Sequence, residues 1–152
     1  MSVGWIVFLF LAFGAVAHCI VYHISRAKKT WTAAIEYCKC YGMRLAVVDT
    51  REKQKALEQA LIKSPIFNKF FTSVWIGASD REREGVFVWQ PTAVRIKYSK
   101  WEKGMPDNGY GGEDCVHVFS ANYTSLEWLW NDWRCNGVSN IACEKIENHK
   151  KC

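Results

Sequence analysis

The stretch that decides how this chain folds reads Met105-Pro106-Asp107-Asn108-Gly109-Tyr110-Gly111-Gly112-Glu113-Asp114-Cys115, followed downstream by Trp130-Asn131-Asp132. Carboxylates and side-chain amides stand here among glycines, which allow tight backbone turns. Hard cations take several oxygen ligands from carboxylate and amide groups, so we expect a calcium site formed by Asp107, Glu113, Asn131 and Asp132. A solvated acidic loop has a similar composition, and the choice between the two interpretations depends on the neighbouring motifs.

These motifs resemble those of the C-type lectin-like domain. In that family a Glu-Pro-Asn or Gln-Pro-Asp tripeptide and a Trp-Asn-Asp tripeptide share one calcium ion with a sugar. The tripeptides stand here as Met105-Pro106-Asp107 and Trp130-Asn131-Asp132. The match extends over about residues 20–146 through Ala34-x-x-x-Cys38-x-x-x-Gly42-x-x-Leu45-Ala46, Trp75-Ile76-Gly77-Ala78, Phe87-Val88-Trp89 and Ile141-Ala142-Cys143-Glu144. Short secreted single-domain lectins of insects are especially similar.

The resemblance implies an α+β fold, a double-loop domain with two helices, short antiparallel strands and a long calcium-binding loop region. It also implies two disulfides, Cys38–Cys143 and Cys115–Cys135. The family's auxiliary calcium lies beside the first one and uses acidic residues after the Trp-Ile-Gly motif. The matching positions are Asp80, Glu84, Asn108 and Asp114. The neutral Asn108 stands where the family often has an acid, which weakens this second site.

Length and composition are those of one globular domain. The chain has 152 residues, of which 49% are hydrophobic and eight are tryptophan, enough for a single core. The net charge of +5 is modest, and the basic residues are scattered instead of forming a stripe. Nucleic acid is therefore not an expected partner.

The first seventeen residues read as a signal peptide. An apolar run from Val3 to Ala17 ends in Ala15-Val16-Ala17, a small-x-small cleavage pattern, and is short for a membrane span. We expect a mature, secreted domain over residues 18–152 with no span after cleavage. No Lys or Arg precedes the run, so an uncleaved anchor is the alternative.

Local patterns predict two helices followed by strands. Thr30 can cap a first helix that buries Trp31, Ala34 and Cys38 and ends at Gly42. Asp49 and Glu52 approximate a capping box for a second helix over about residues 50–63. Short apolar runs then follow at 73–76, 86–89, 95–98, 116–119, 128–130 and 140–144. This order is typical of an α+β domain.

If the chain is secreted, its seven cysteines indicate a set of disulfides. Helical spacing turns Cys40 roughly 200° away from the buried Cys38, toward solvent. Because the resembled fold brings its termini together, Cys19 with Cys152 is the first choice for a third bridge. Cys40 then remains either free or available to join two chains in a dimer.

The sequence gives little support for a zinc site or for catalysis. His18, His23, His117 and His149 lack the spacing of a zinc site, and His117 in a strand is expected to be packed or hydrogen-bonded. No nucleophile elbow or phosphate loop is present, so we do not expect an enzyme. Asn122-Tyr123-Thr124 is a glycosylation sequon, expected on a surface turn.

The sequence therefore predicts a secreted, calcium-dependent carbohydrate-binding lectin. Asp107 matches the Gln-Pro-Asp form, which is galactose-directed in the resembled family, whereas the Glu-Pro-Asn form is mannose-directed. Met105 is neither Gln nor Glu, and a thioether is a poor ligand for a hard cation. We expect weak galactose-type binding, with Tyr110 available to stack on the sugar. The alternative is the same scaffold binding protein without sugar.

Overall fold

The computed structural model describes residues 21–120 and 127–145. Its helices are α1 (Trp31–Cys40) and α2 (Arg51–Lys63), and a 3-10 turn spans Gly109–Gly111. Its strands are β1 (Tyr22–Lys29), β2 (Met43–Leu45), β3 (Thr72–Ser79), β4 (Val88–Trp89), β5 (Val94–Arg95), β6 (Cys115–Ser120), β7 (Leu129–Trp133) and β8 (Ser139–Lys145). The predicted α+β fold with two helices is confirmed.

The strands form one mixed sheet. Its main path runs β1-β8-β3-β4-β5, with β2 beside β8 and with β6 joining β3 to β7. Most pairs are antiparallel as expected, but β3 and β8 are parallel, with Val74 opposite Asn140. A parallel pair needs a long crossover connection, and the chain between Ser79 and Ser139 provides one. The site loops lie within that connection.

Helix α1 begins and ends where the sequence indicated. The Thr30 hydroxyl accepts a hydrogen bond from Ala33 N, and Gly42 follows the last turn at φ +66°, a conformation that suits glycine. The helix buries Cys38, which forms a disulfide with Cys143 of β8. Cys40 is exposed and has no disulfide within the described chain. The two cysteines thus lie on opposite helix faces, as predicted.

The cap of helix α2 differs from the predicted one. Thr50, not Asp49, is the N-cap: its backbone is extended and its hydroxyl accepts from Lys53 N. The Asp49 carboxylate instead forms an ion pair with Lys53 Nζ at 2.8 Å. Asp and Thr are both good N-cap residues. Here the extended backbone of Thr50 places its hydroxyl beside the free N–H groups of the first turn, so Thr50 is the cap.

A buried polar link joins α2 to the strand that carries the Trp-Asn-Asp motif. Trp130 is fully buried, and its indole Nε1 donates to Gln54 Oε1 at 2.9 Å. Gln54 is itself buried, and its amide nitrogen donates to Glu58 and to the Trp128 carbonyl. Because a buried Trp needs a partner for its N–H, this link fixes the position of β7 and of the residues that follow Trp130.

Some sequence predictions concern residues outside the described ranges. These are the signal peptide over residues 1–17, the Cys19–Cys152 pair and the sequon at Asn122. Among the residues that the structure does describe, neither helix is long and apolar enough to cross a membrane.

Candidate calcium site

The site is built where the long loop meets the β6–β7 pair. In this antiparallel pair, Val116 lies opposite Asp132 and His117 opposite Asn131. The Cys115–Cys135 disulfide links the start of β6 to the residues after β7, which is the pairing that the resemblance implied. The start of β6 and the end of β7 are thereby held together beside the loop.

Three carboxylates meet at this point. Asp107, Glu113 and Asp132 each offer an oxygen, and these oxygens all lie within 4.8 Å of one another. No other trio of His, Cys, Asp or Glu side chains in the described ranges is gathered this closely. Two of the three residues come from the loop and one from a strand, so the tertiary fold creates the cluster.

Asp132 anchors the loop to the strand. Only 1% of it is exposed, and its carboxylate accepts backbone hydrogen bonds from Asp107 N at 3.1 Å and Asn108 N at 2.7 Å. The Asp107 carboxylate in turn accepts from Gly109 N at 3.2 Å. Charge-assisted bonds of this kind hold the loop backbone in place while the carboxylates keep further lone pairs available.

The electrostatics of the cluster favour a cation. Burial raises the pKa of the Glu113 carboxyl, and the neighbouring carboxylates of Asp132 and Asp107 raise it further. The backbone N–H of Gly109 and the guanidinium of Arg134 act in the opposite direction. Like charges held this close repel each other, and a divalent cation between them would remove that repulsion.

Asn131 supplies a fourth oxygen donor of the required type. Its Oδ1 is buried and has no hydrogen-bond partner in the described part of the protein. An unsatisfied buried carbonyl oxygen is costly unless a partner completes it. Together with three carboxylates, an amide oxygen is the donor chemistry that calcium takes in proteins. The residues present therefore fit a calcium ion.

The four residues of the expected auxiliary site are arranged differently. The Asn108 amide donates to Glu84 Oε2 at 2.6 Å, and its Oδ1 accepts from Glu113 N. Asp80 is buried and accepts from Gly85 N, and its other oxygen has no partner among the described residues. Asp80, Glu84 and Asp114 do not bring their oxygens mutually within 4.8 Å. The Asn108 side chain thus links the Glu84 carboxylate to the backbone N–H of Glu113.

Tyr110 projects from the loop beside the cluster. Its side chain is 96% exposed, and its backbone has φ 58°, which is unfavourable for a bulky residue. The guanidinium of Arg134 lies 5.4 Å from the centre of the Tyr110 ring, within cation–π range. The sequence interpretation did not include Arg134, although it stands only two residues after Asp132, just beyond the end of β7.

Comparison with known proteins agrees with this geometry. The profile of the Lectin C-type domain matches residues 27–145, most of the chain. The chain belongs to the C-type lectin domain family. It is 43% identical over 116 residues to salivary C-type lectin 1 of Aedes albopictus, covering 76% of each protein. It is also 43% identical over 115 residues to C-type lectin 16 of Aedes aegypti, covering 76% of this chain and 75% of that protein.

A solved structure shows the same fold. The carbohydrate-recognition domain of the mouse scavenger receptor C-type lectin superposes on this C-type lectin domain with a TM-score of 0.70 and 27% identity. The match covers 84% of this chain and 90% of that one. The resemblance to short insect C-type lectins is thus confirmed, and the relatives and fold neighbours are lectins, not enzymes.

Proposed function

We propose that this C-type lectin domain is a secreted protein that binds carbohydrate through calcium, with a weak galactose-type preference and no catalytic activity. The observation that carries the proposal is the trio of Asp107, Glu113 and Asp132, with oxygens within 4.8 Å of one another. Asn131, which precedes Asp132 in the sequence, supports it, since its buried Oδ1 has no hydrogen-bond partner among the described residues. These four residues would hold the ion.

Calcium, when bound, supplies a centre to which vicinal sugar hydroxyls can coordinate. The protein's own residues determine which hydroxyls fit. Asp107 is exposed, so its carboxylate can accept a hydrogen bond from a sugar hydroxyl while it serves as a ligand. Glu113 is half-buried and Asp132 is buried, so they act mainly as ligands and as anchors of the loop. With four protein ligands on a loop, we expect calcium affinity on the order of 10⁻⁴–10⁻³ M.

The galactose-type preference rests on Asp107 and on Tyr110. An acid at position 107 corresponds to the galactose-directed form of the family tripeptide. The exposed Tyr110 ring, which is in cation–π contact with Arg134, is available to stack on the apolar face of galactose. Met105 contributes no oxygen, so affinity for a single sugar should be low and multivalent display should be needed to detect it.

Secretion and dimerisation complete the proposal. The apolar run that ends at Ala17 supports cleavage before His18, and one relative carries the word salivary in its name. Sequencing the N-terminus of protein released from insect cells tests the cleavage.

Cys40 is exposed and could join two chains. A reducible dimer that disappears in Cys40→Ser would support that role.

The decisive experiment compares galactose beads with mannose beads, with and without a chelator. We expect chelator-sensitive retention that is stronger on galactose. Calcium titration calorimetry on Glu113→Gln and Asp132→Asn should show loss of binding, because each change removes a charged ligand. Glu36→Gln, in an exposed position on α1, is the matched control. Unchanged affinity in the site variants would refute the calcium site. Calcium binding without sugar retention would favour the protein-binding alternative.

A further inference from the structure

A second concave site lies away from the calcium cluster, and we call it the basic cleft. It has a volume of about 350 Å³ and forms where β1, the start of β3, the start of β8 and the segment 66–71 meet. Arg26, Lys28, Asn68, Phe71, Trp133 and Asn140 are among its lining residues. This volume falls in the range of small-ligand sites.

Two cations face this cleft. Arg26 and Lys28 both line the cleft from β1, in the part of the strand where the pairing with β8 is irregular. Both are exposed, and neither lies within 4.0 Å of a carboxylate in the described ranges. Lysines on an edge strand often have no role beyond preventing another strand from pairing with that edge. Here, however, both cations line a concave surface, where their charge attracts an anion more strongly than on a flat one.

Polar and aromatic groups complete the lining. The Asn140 amide donates to the carbonyls of Ser25 at 3.2 Å and Arg26 at 3.1 Å, which fixes the backbone that carries the cations. Phe71 is 53% exposed, and the Trp133 ring stacks on Trp75 at 5.4 Å between centroids. Such rigid rings offer an apolar face at little cost in conformational entropy.

We propose that the basic cleft binds an acidic saccharide, one that carries sulfate or carboxylate groups, without calcium. Arg26 and Lys28 bind the anionic groups, and Phe71 packs on the apolar face of a sugar ring. The cleft is separate from the calcium site. None of Asp107, Glu113, Asn131 and Asp132 lines the cleft.

The test uses immobilised heparin oligosaccharides in the presence of a chelator, so the calcium site does not contribute. Arg26→Gln combined with Lys28→Gln should lower the affinity at least about tenfold, since two charge-assisted contacts are lost. The control combines Lys97→Gln with Lys103→Gln, which removes the same charge from exposed positions beyond β5. It should change the affinity less than about twofold. Equal losses in both double variants would indicate ion exchange and overturn the proposal.

A second variant separates a saccharide from other polyanions. Phe71→Ala keeps all the charges, so it should weaken heparin oligosaccharide binding severalfold and leave binding of a polyglutamate peptide unchanged. Thermal melts of every variant should match the wild type, because the substituted side chains are exposed. If polyglutamate competes as well as the oligosaccharide at equal charge, the cleft is a site for acidic peptide and the saccharide proposal is wrong.

Discussion

The amide Nδ2 of Asn131 lies 3.2 Å from Nε2 of His117, directly across the β6–β7 pair. An amide nitrogen can only donate, so His117 accepts through Nε2 and carries its proton on Nδ1. Burial lowers the pKa of His117 to about 4, so the ring is neutral at physiological pH. This bond sets the rotation of the Asn131 amide and leaves Oδ1 as its unsatisfied acceptor.

His117 should therefore influence calcium affinity without touching the ion. We expect His117→Phe to keep the ring stacked against Trp133 and to lose the bond to Asn131. Calcium affinity, measured by titration calorimetry, should fall about ten- to a hundredfold, as it does when an outer hydrogen-bond partner of a metal ligand is removed. Phe119→Leu perturbs the other side of the His117 ring and is the control. An equal fall in both variants would indicate general loosening of the strand pair.

The sequence predicted the elements whose signals are local. Thr30 and Gly42 bracket α1 as expected, because a cap and a left-handed glycine act within one turn of the helix end. The local patterns missed β1, which precedes α1, and β2, since both strands depend on their pairing with the distant β8. The capping residue of α2 was misplaced by one position because Asp49 and Thr50 are both good caps and only the backbone geometry selects between them.

At the candidate site, spacing and resemblance pointed to carboxylates that the fold brings together, but not to the residues that support them. Asp107, Glu113 and Asp132 are gathered as the motifs suggested. The contact of Arg134 with Tyr110 and the bond from Trp130 to Gln54 link residues 24 and 76 positions apart. Sequence periodicity does not predict such contacts, because they depend on how the loop and the helix pack against β7.

Gly109 sets the position of the Glu113 carboxylate. A Cβ atom at Gly109 would lie 2.8 Å from Glu113 Oε2, which is closer than atoms can pack. Because Oε2 is the end of a flexible side chain, Gly109→Ala should displace the carboxylate and leave the unfolding free energy within about 0.5 kcal/mol of wild type. Calcium affinity should fall several-fold. Gly112→Ala is the control, since its Cβ would meet nothing within 4 Å. Unchanged calcium affinity in Gly109→Ala would remove Glu113 from the site.

Arg44 and Glu144 form a pair whose stability contribution should depend on pH. Arg44 donates to Glu144 Oε1 at 2.7 and 2.8 Å, and Glu144 is buried. Burial raises the pKa of the Glu144 carboxyl, while Arg44 lowers it in part. Arg44→Gln removes that compensation and leaves a buried carboxylate without its cation. We expect a loss of about 3 kcal/mol in unfolding free energy at pH 7.

The loss in Arg44→Gln should shrink as the pH falls. With the folded pKa of Glu144 above the unfolded one, the folded protein binds more protons between the two values, so its stability rises on acidification through that interval. Urea denaturation at pH 7 and pH 5 measures the effect relative to wild type. Arg44→Lys, which keeps the charge, should show a smaller loss at both pH values. A deficit that does not change with pH would mean that Arg44 acts through packing alone.

The Tyr110 side chain should lower the unfolding free energy of the protein and favour its binding to galactose. A left-handed backbone costs a bulky residue about 1–2 kcal/mol, and asparagine tolerates it better. We therefore expect Tyr110→Asn to raise the unfolding free energy by up to about 1 kcal/mol and to reduce retention on galactose beads. Tyr110→Trp should keep the retention, since it preserves a stacking ring. A variant Tyr110→Asn with unchanged retention would show that the exposed ring has no part in sugar binding.

Met105 is the position that should limit sugar affinity. Its thioether is a weak acceptor and a poor partner for a hard cation, so we expect one calcium ligand and one sugar hydrogen bond to be missing there. A hydrogen bond at a charged site contributes about 1.5–3 kcal/mol, or roughly ten- to a hundredfold in affinity. Met105→Gln should therefore strengthen calcium-dependent retention on galactose beads by a factor in that range.

The choice of substitution at Met105 also tests the orientation of the sugar. Met105→Leu removes the sulfur without adding an oxygen and should behave like wild type, whereas Met105→Gln restores the amide of the Gln-Pro-Asp form. Galactose should gain from this change and mannose should not, because the arrangement of acceptors and donors around the ion selects the hydroxyl pair that fits. A calcium-dependent preference for mannose would overturn the assignment to the galactose-type form. Retention on neither sugar, even for Met105→Gln, would mean that the scaffold binds a partner other than carbohydrate through this loop.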